Sequence, residues 1–397
     1  MATPTHVYLD VNARNDDMET VSSPPPLNFD ETRLHPFLNG DASDYFCTIA
    51  RFTLDTSNSI PVFIPEMDTN QPGPTPNRNE TIYKITFLKV RDDSGALLPV
   101  PIPYTGSFEY IPSDNTVQPP SFPDKVTDPS STYYHVHSYQ DFIDMINNTL
   151  YGLSVGRMTG RFNPPFMEWD NTAYTASLHL DPYYFDTTPT NQFLGASGFS
   201  MGANAKYEIY FNTRLYQLFN TFPATYMSAT GDLNYRLDVF AKPNNTSKLP
   251  VNDINGEQMY LINMPQEIST ISNMTPLDSI VFTSTSLPIH PSLSSAPKVI
   301  SSTNITSSGN GLPNITNVLT DFQIALSAAN HYKPVIAYAP QGEYRLIDMY
   351  GNKDLSRIDL QIYWKDKKGV LHPMLLHPGC SASVKFLFRH RRFYLGD

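Results

Sequence analysis

Apolar and polar residues alternate along much of this chain, most plainly toward its end. In Ser356–Trp364, Ile358, Leu360, Ile362 and Trp364 fall on one side, and Arg357, Asp359, Gln361 and Tyr363 on the other. A period of two marks a half-buried antiparallel strand. Similar text predicts strands over Thr320–Leu326, Lys333–Tyr338, Glu343–Met349, Val370–Leu376 and Ser381–Arg389, with turns at Lys365–Gly369 and Pro378–Gly379. Near the start, Phe46, Thr48, Ala50, Phe52 and Leu54 share a predicted face. Ile60–Pro65 follows, and its prolines place it at an edge or a strand end. Thr81–Val90 is a strong strand, joined through the hairpin signal Asp92–Gly95 to Leu97–Ile102. Shorter strands are predicted at Ala173–Leu180, Lys206–Phe211, Tyr235–Phe240, Gln258–Met264 and Ser279–Ser286.

Two segments have helical spacing instead. Ser138 with Asp141 makes a capping-box-like start, Phe142, Ile146 and Leu150 form one face, and Gly152 can end the helix. Asn212 can cap a second helix with Leu215, Leu218, Phe219 and Phe222 apolar, stopped by Pro223. Roughly fifteen strands and two helices rule out a doubly wound α/β fold, which needs a helix after nearly every strand. The expected class is all-β, an antiparallel jelly-roll sandwich with a large central insertion and few short helices. A tandem double jelly roll is the alternative. The boundaries drawn are an extended N-terminal arm over 1–44, a jelly-roll core over 45–111 and 315–389, an insertion or second β domain over 112–314, and a basic tail over 390–397.

Composition adds a tilt toward assembly. Charged residues make up 16% of the 397, below the usual quarter, and 35 prolines, 24 tyrosines and 23 phenylalanines stand out. Interface cores are likewise poor in charge and rich in aromatics. A net charge of −11 argues against a general nucleic-acid binder. The chain nevertheless ends in a basic knot, and Arg389, Arg391 and Arg392 are its candidate contacts for nucleic acid or an acidic partner. The two cysteines, Cys47 and Cys380, are too few for a disulfide framework; both are expected reduced and buried, with a single bridge between distant strands as the alternative. The start has no secretory-signal pattern and no stretch approaches a membrane span, so folding in cytosol or nucleus is expected, and the Asn-x-Ser/Thr sequons read as loops.

Candidate chemistry is sparse. Gly198–Gly202 matches the Gly-x-Ser-x-Gly nucleophile elbow around Ser200, but it lacks the buried strand before and the helix after that give the motif meaning. His135 and His137 share one strand face without a marked third ligand. His372 and His377 bracket a strand. Asp348, Asp354 and Asp359 are read as turn and rim groups, with Arg345 or Arg357 as partners. No P-loop, dinucleotide fingerprint or zinc-spaced cysteine pair is present. No catalytic residue, metal or cofactor is expected, and the chain is not expected to be an enzyme. Loops 68–79 and 292–313 are the candidates if the sandwich is instead a glycan- or receptor-binding module.

Asn28–Arg33, Asp44–Phe52 and Pro61–Pro65 resemble the start of capsid proteins of small tailless eukaryotic DNA viruses, the Polinton, adintovirus and virophage-like group. Glu343–Asp348, Ile358–Trp364 and Gly379–Arg389 resemble their ending. The likeness is to the minor, penton-like vertex subunit more than to the major one. It implies a self-assembling virion protein: a pentamer is favoured, or a trimer if the jelly rolls are tandem. It also implies neighbouring capsid proteins as partners, and packaged DNA at the basic C-terminus. The strand text carries no catalytic residue across.

Overall fold

The computed structural model describes residues 6–18, 24–56, 58–71, 76–113, 118–120, 132–158, 163–185, 205–239, 250–252, 258–290, 292–293, 298–300, 305–307, 315–323, 335–339 and 345–393. The chain divides into two compact units. One joins residues 1–61 to 276–397, and the other is the continuous segment 62–275 between them.

The first unit has eight principal strands: His6–Arg14, Asn28–Thr32, Tyr45–Asp55, Leu277–Thr283, Val318–Gln323, Val335–Tyr338, Arg357–Asp366 and Ser381–His390. One sheet holds the first, eighth, third and sixth in that spatial order, and the other holds the second, seventh, fourth and fifth. Every pairing is antiparallel. The chain therefore crosses between sheets at nearly every connection, which is the double Greek key of a jelly roll. Ile347–Asp348 adds to the first sheet beside the third strand, and Leu371–Pro373 to the second beside the seventh. The insertion falls in the connection between the third and fourth strands.

The alternation read from sequence accounts for the core. Ile358, Leu360, Ile362 and Trp364 are all buried, as are Val384, Phe386 and Phe388 from the facing sheet. Phe52 meets Phe282 at 5.0 Å and Phe322 at 4.9 Å between ring centroids, in tilted geometry. After the seventh strand the turn to Val370 needs a left-handed residue, and Gly369 supplies it at φ 85°.

One phase differs from expectation. Pairing runs from Phe386 opposite Ile49 to Lys385 opposite Arg51, leaving Ala50 as an extra residue. This β-bulge changes which side faces the core. Before it Tyr45, Cys47 and Ile49 point inward; after it Phe52 and Leu54 do.

The inserted unit is built differently. Its larger sheet runs Leu97–Glu109, Glu80–Arg91, Tyr207–Phe211, Tyr235–Leu237 and Ala224–Tyr226 in spatial order. A second sheet holds Ile262–Pro265, Thr175–Leu180 and Phe166–Asp170. The helix Tyr139–Ser154 begins where Ser138 accepts a hydrogen bond from the Gln140 amide, and it buries Phe142, Ile146 and Leu150. A shorter helix, Thr213–Leu218, is capped by the Asn212 side chain on the Leu215 amide. Two four-residue helices, Pro182–Phe185 and Ile271–Met274, were not anticipated. Among the described residues the eight-strand alternation occurs once, in the first unit, and the insertion does not repeat it.

The boundaries also move. The expected arm over 1–44 contains two jelly-roll strands; His6–Arg14 pairs with Ser381–His390 over nine residues. It reads weakly because only Leu9 and Val11 are fully buried, between polar neighbours. Residues 80–109 belong to the insertion, and Leu277–Thr283 to the jelly roll. Strand text carries periodicity but not the identity of the partner strand. In the expected basic tail, His390 ends the last strand, Arg391–Phe393 form a 3-10 turn, and 394–397 lie outside the described residues.

Candidate assembly surface

The three candidate arginines sit in three different settings. Arg389 is on the last strand, half-buried, with His6 opposite on one side and Phe46 on the other. Arg391 lies 2.9 Å from Asp348 Oδ1, donates to the Met349 carbonyl at 3.1 Å, and stacks over the Phe46 ring at 4.7 Å. Arg392 is exposed, with its amide donating to His390 Nδ1. The run of basic residues is therefore not one free cationic patch, because Asp348 balances Arg391.

Asp348, Asp354 and Asp359 take partners other than Arg345 and Arg357. Arg345 pairs with Asp321, and Arg357 pairs with Asp30. Asp348 takes Arg391, and Asp354 accepts from the Gly40 amide at 2.6 Å. Asp359 is buried and accepts from the hydroxyls of Ser284, Thr285 and Ser286, each at 2.6 Å, and from the Thr285 and Ser286 amides. Burial opposes its charge, but the three hydroxyls and the Ser286 amide more than offset that and hold the carboxyl well below the usual carboxylate range.

His135 and His372 are buried. His135 and His137 rings are 6.1 Å apart, and no group of three or more His, Cys, Asp or Glu residues is arranged to hold a metal among the described residues. His372 stacks on Trp364 at 4.1 Å, and its Nε2 is 3.1 Å from Asp366 Oδ2. Asp366 also accepts from the Lys368 and Val370 amides, so it ties the imidazole to the turn. Ser200 lies outside the described residues, as do most of loop 292–313 and residues 72–75 of loop 68–79.

Cys47 and Cys380 are free and buried. Cys47 is opposite Phe388, eight residues along the chain from Cys380, a separation of about 26 Å on an extended strand. They cannot pair without dismantling the sheet.

Among the described residues, several strands lie at sheet edges. In the jelly roll these are His6–Arg14 and Val335–Tyr338 in one sheet, and Asn28–Thr32 and Val318–Gln323 in the other. In the insertion, Leu97–Glu109 and Ala224–Tyr226 are the two edges of the five-stranded sheet.

A family model described as Sputnik minor capsid protein V18/19 matches residues 7–390, from the first jelly-roll strand to the last. The chain belongs to that family. Over 223 residues it is 26% identical to structural protein V19 of Sputnik virophage, covering 55% of this chain and 91% of that protein. A chain in the cryo-EM structure of the Sputnik virophage superposes with a TM-score of 0.72 at 22% identity, covering 98% of this chain and 99% of that one. The mavirus penton protein does so with a TM-score of 0.59 at 17% identity, covering 97% and 99%. This minor capsid protein is thus a structural component of the virion with a penton-like fold, and it works by assembling with other capsid proteins, not by turnover. The resemblance in strand text at the two ends of the chain pointed to the same group.

Proposed function

We propose that this minor capsid protein closes into a five-membered ring at the capsid vertices. The observation that carries the reading is the single eight-strand jelly roll, in a minor-capsid family and with the fold of a penton protein. A subunit of this kind presents two different edges of each sheet to its neighbours. Head-to-tail contacts between unlike surfaces close into a ring when the rotation closes. A trimer would suit two jelly rolls in tandem, and the described strands of the insertion do not supply the second one.

Contact of the basic end with packaged DNA is a further part of the proposal. Its support is confined to exposed Arg392, since Arg391 is engaged by Asp348 and Arg389 is half-buried in the last strand. Electron microscopy of the purified full-length chain tests the ring: class averages with five-fold rotational symmetry are expected, and three-fold averages or dispersed single subunits would overturn it.

A further inference from the structure

We propose that the insertion carries a contact between neighbouring copies of this chain, in which the Leu97–Glu109 edge of one copy docks on the Ala224–Tyr226 edge of the next. This rests on the ring reading and assigns it a surface.

The Leu97–Glu109 edge is unlike a protected one. Soluble proteins blunt long edge strands with charges or by covering them. Here Leu97–Phe108 contains no Asp, Glu, Lys or Arg, and Leu97 is 68%, Val100 74% and Ile102 44% exposed. The ladder to Glu80–Arg91 is also broken. Lys89 pairs with Ile102 and Arg91 with Leu97, so Leu98–Pro101 stand outside it. Pro99, Pro101 and Pro103 contribute no N–H. A second copy of the same edge therefore cannot be zipped onto this stretch by a backbone ladder. What the edge offers is a stiff apolar ridge of side chains.

The opposite edge offers a matching shelf. Pro223–Gly231 is also without charge, and Tyr226 and Met227 are 55% and 49% exposed. Tyr226 leans on Tyr235 at 5.2 Å, and Tyr235 stacks on Tyr216 at 4.0 Å. An aromatic held in place this way loses little freedom on binding, and tyrosine is a frequent anchor at interface centres. Neither Leu97–Phe108 nor Pro223–Gly231 carries a charged side chain of its own to desolvate against the other. The two surfaces differ and lie on opposite sides of one sheet, as a head-to-tail contact requires. The prolines disfavour the like-on-like alternative. A second copy of this chain, in a protein whose work is assembly, is the occupant these features fit.

The test uses the full-length chain. In Val100→Asp/Ile102→Asp, both sites are exposed, so the fold is expected to stand, with an unchanged near-ultraviolet circular dichroism spectrum. The ring is expected to fall to smaller species at concentrations where the wild type is assembled. A second variant, Val100→Cys/Met227→Cys, should form a ladder of disulfide-linked chains on oxidation, while each single-cysteine variant should not. The two edges of a five-stranded sheet are about 19 Å apart, too far for a disulfide within one copy. A wild type that forms rings, with an aspartate variant that forms them equally well and no ladder, overturns the edge contact and leaves the ring reading intact. A wild type that never assembles, with no ladder, contradicts both.

Discussion

Asp359 Oδ1 lies 2.6 Å from Ser284 Oγ, across 75 positions of sequence. The bond joins the seventh jelly-roll strand to the residue just after the fourth, and Thr285 and Ser286 add their own hydroxyls and amides to the same carboxylate. Removing a buried charged acceptor leaves these donors unmatched. Asp359→Ala is expected to cost the jelly roll about 3 kcal/mol. The two tryptophans allow this to be read separately, since Trp364 is in the jelly roll and Trp169 in the insertion. In a Trp169→Phe background, urea unfolding followed by tryptophan fluorescence should show the lowered midpoint, and an unchanged midpoint would refute the role.

The same carboxylate sets an acid limit. Its folded pKa is below the unfolded value of about 3.9, so its contribution is complete above that value and is lost as pH falls further. Asp366, also held below its ordinary value with burial opposed by the His372 bond and the turn amides, acts in the same direction. The Trp364 signal should therefore show loss of stability below about pH 4, with a shallower dependence in Asp359→Asn.

The insertion should respond at milder pH. His179 is buried, stacks on Phe166 at 4.6 Å, and lies 3.0 Å from Glu168 Oε2. Burial lowers its pKa and Glu168 only partly offsets this. A depressed pKa means that stability is complete above the unfolded value of about 6.5 and declines as pH falls below it. In a Trp364→Phe background, the Trp169 unfolding midpoint should drop between pH 7.5 and 5.5, and His179→Gln should flatten the drop.

Much of this was legible in the sequence, and the failures have identifiable causes. Ile358, Leu360, Ile362 and Trp364 could be placed because a strand buried on one face writes its period directly. Ser138 and Asn212 could be placed because capping chemistry is local. The phase of Tyr45–Ile49 could not, because the bulge at Ala50 depends on the facing strand. His6–Arg14 was missed because an edge strand buries few residues. The Asp359 clamp was invisible because its donors come from Ser284–Ser286, far along the chain. Turn and rim roles for Asp348 and Asp359 followed from neighbours in sequence, and the folded partners are other residues.

Gly106 tests how closely the long helix approaches the insertion sheet. A Cβ built there would stand 3.1 Å from Thr149 Cγ2 and 3.3 Å from Leu153. Gly106→Val is expected to push the helix outward and destabilise the insertion by about 1–3 kcal/mol. The Trp169 unfolding curve would report it, and a variant as stable as the wild type would show that the helix is not seated as described.

The cysteines should behave as core residues. Burial pushes the Cys47 thiol up to about 12 and also raises Cys380, where Asp55 adds to the effect. Neither should react with iodoacetamide in the native chain at neutral pH, and both should react in urea. Native labelling of Cys47 would contradict its place in the core.

A ring of five chains has a defined mass. Light scattering after size exclusion measures it most directly, at protein concentrations spanning the assembly range. A species of five times the 44.7 kDa chain mass is expected. A stable species of three chains, or a monomer at every concentration, would contradict the ring of five.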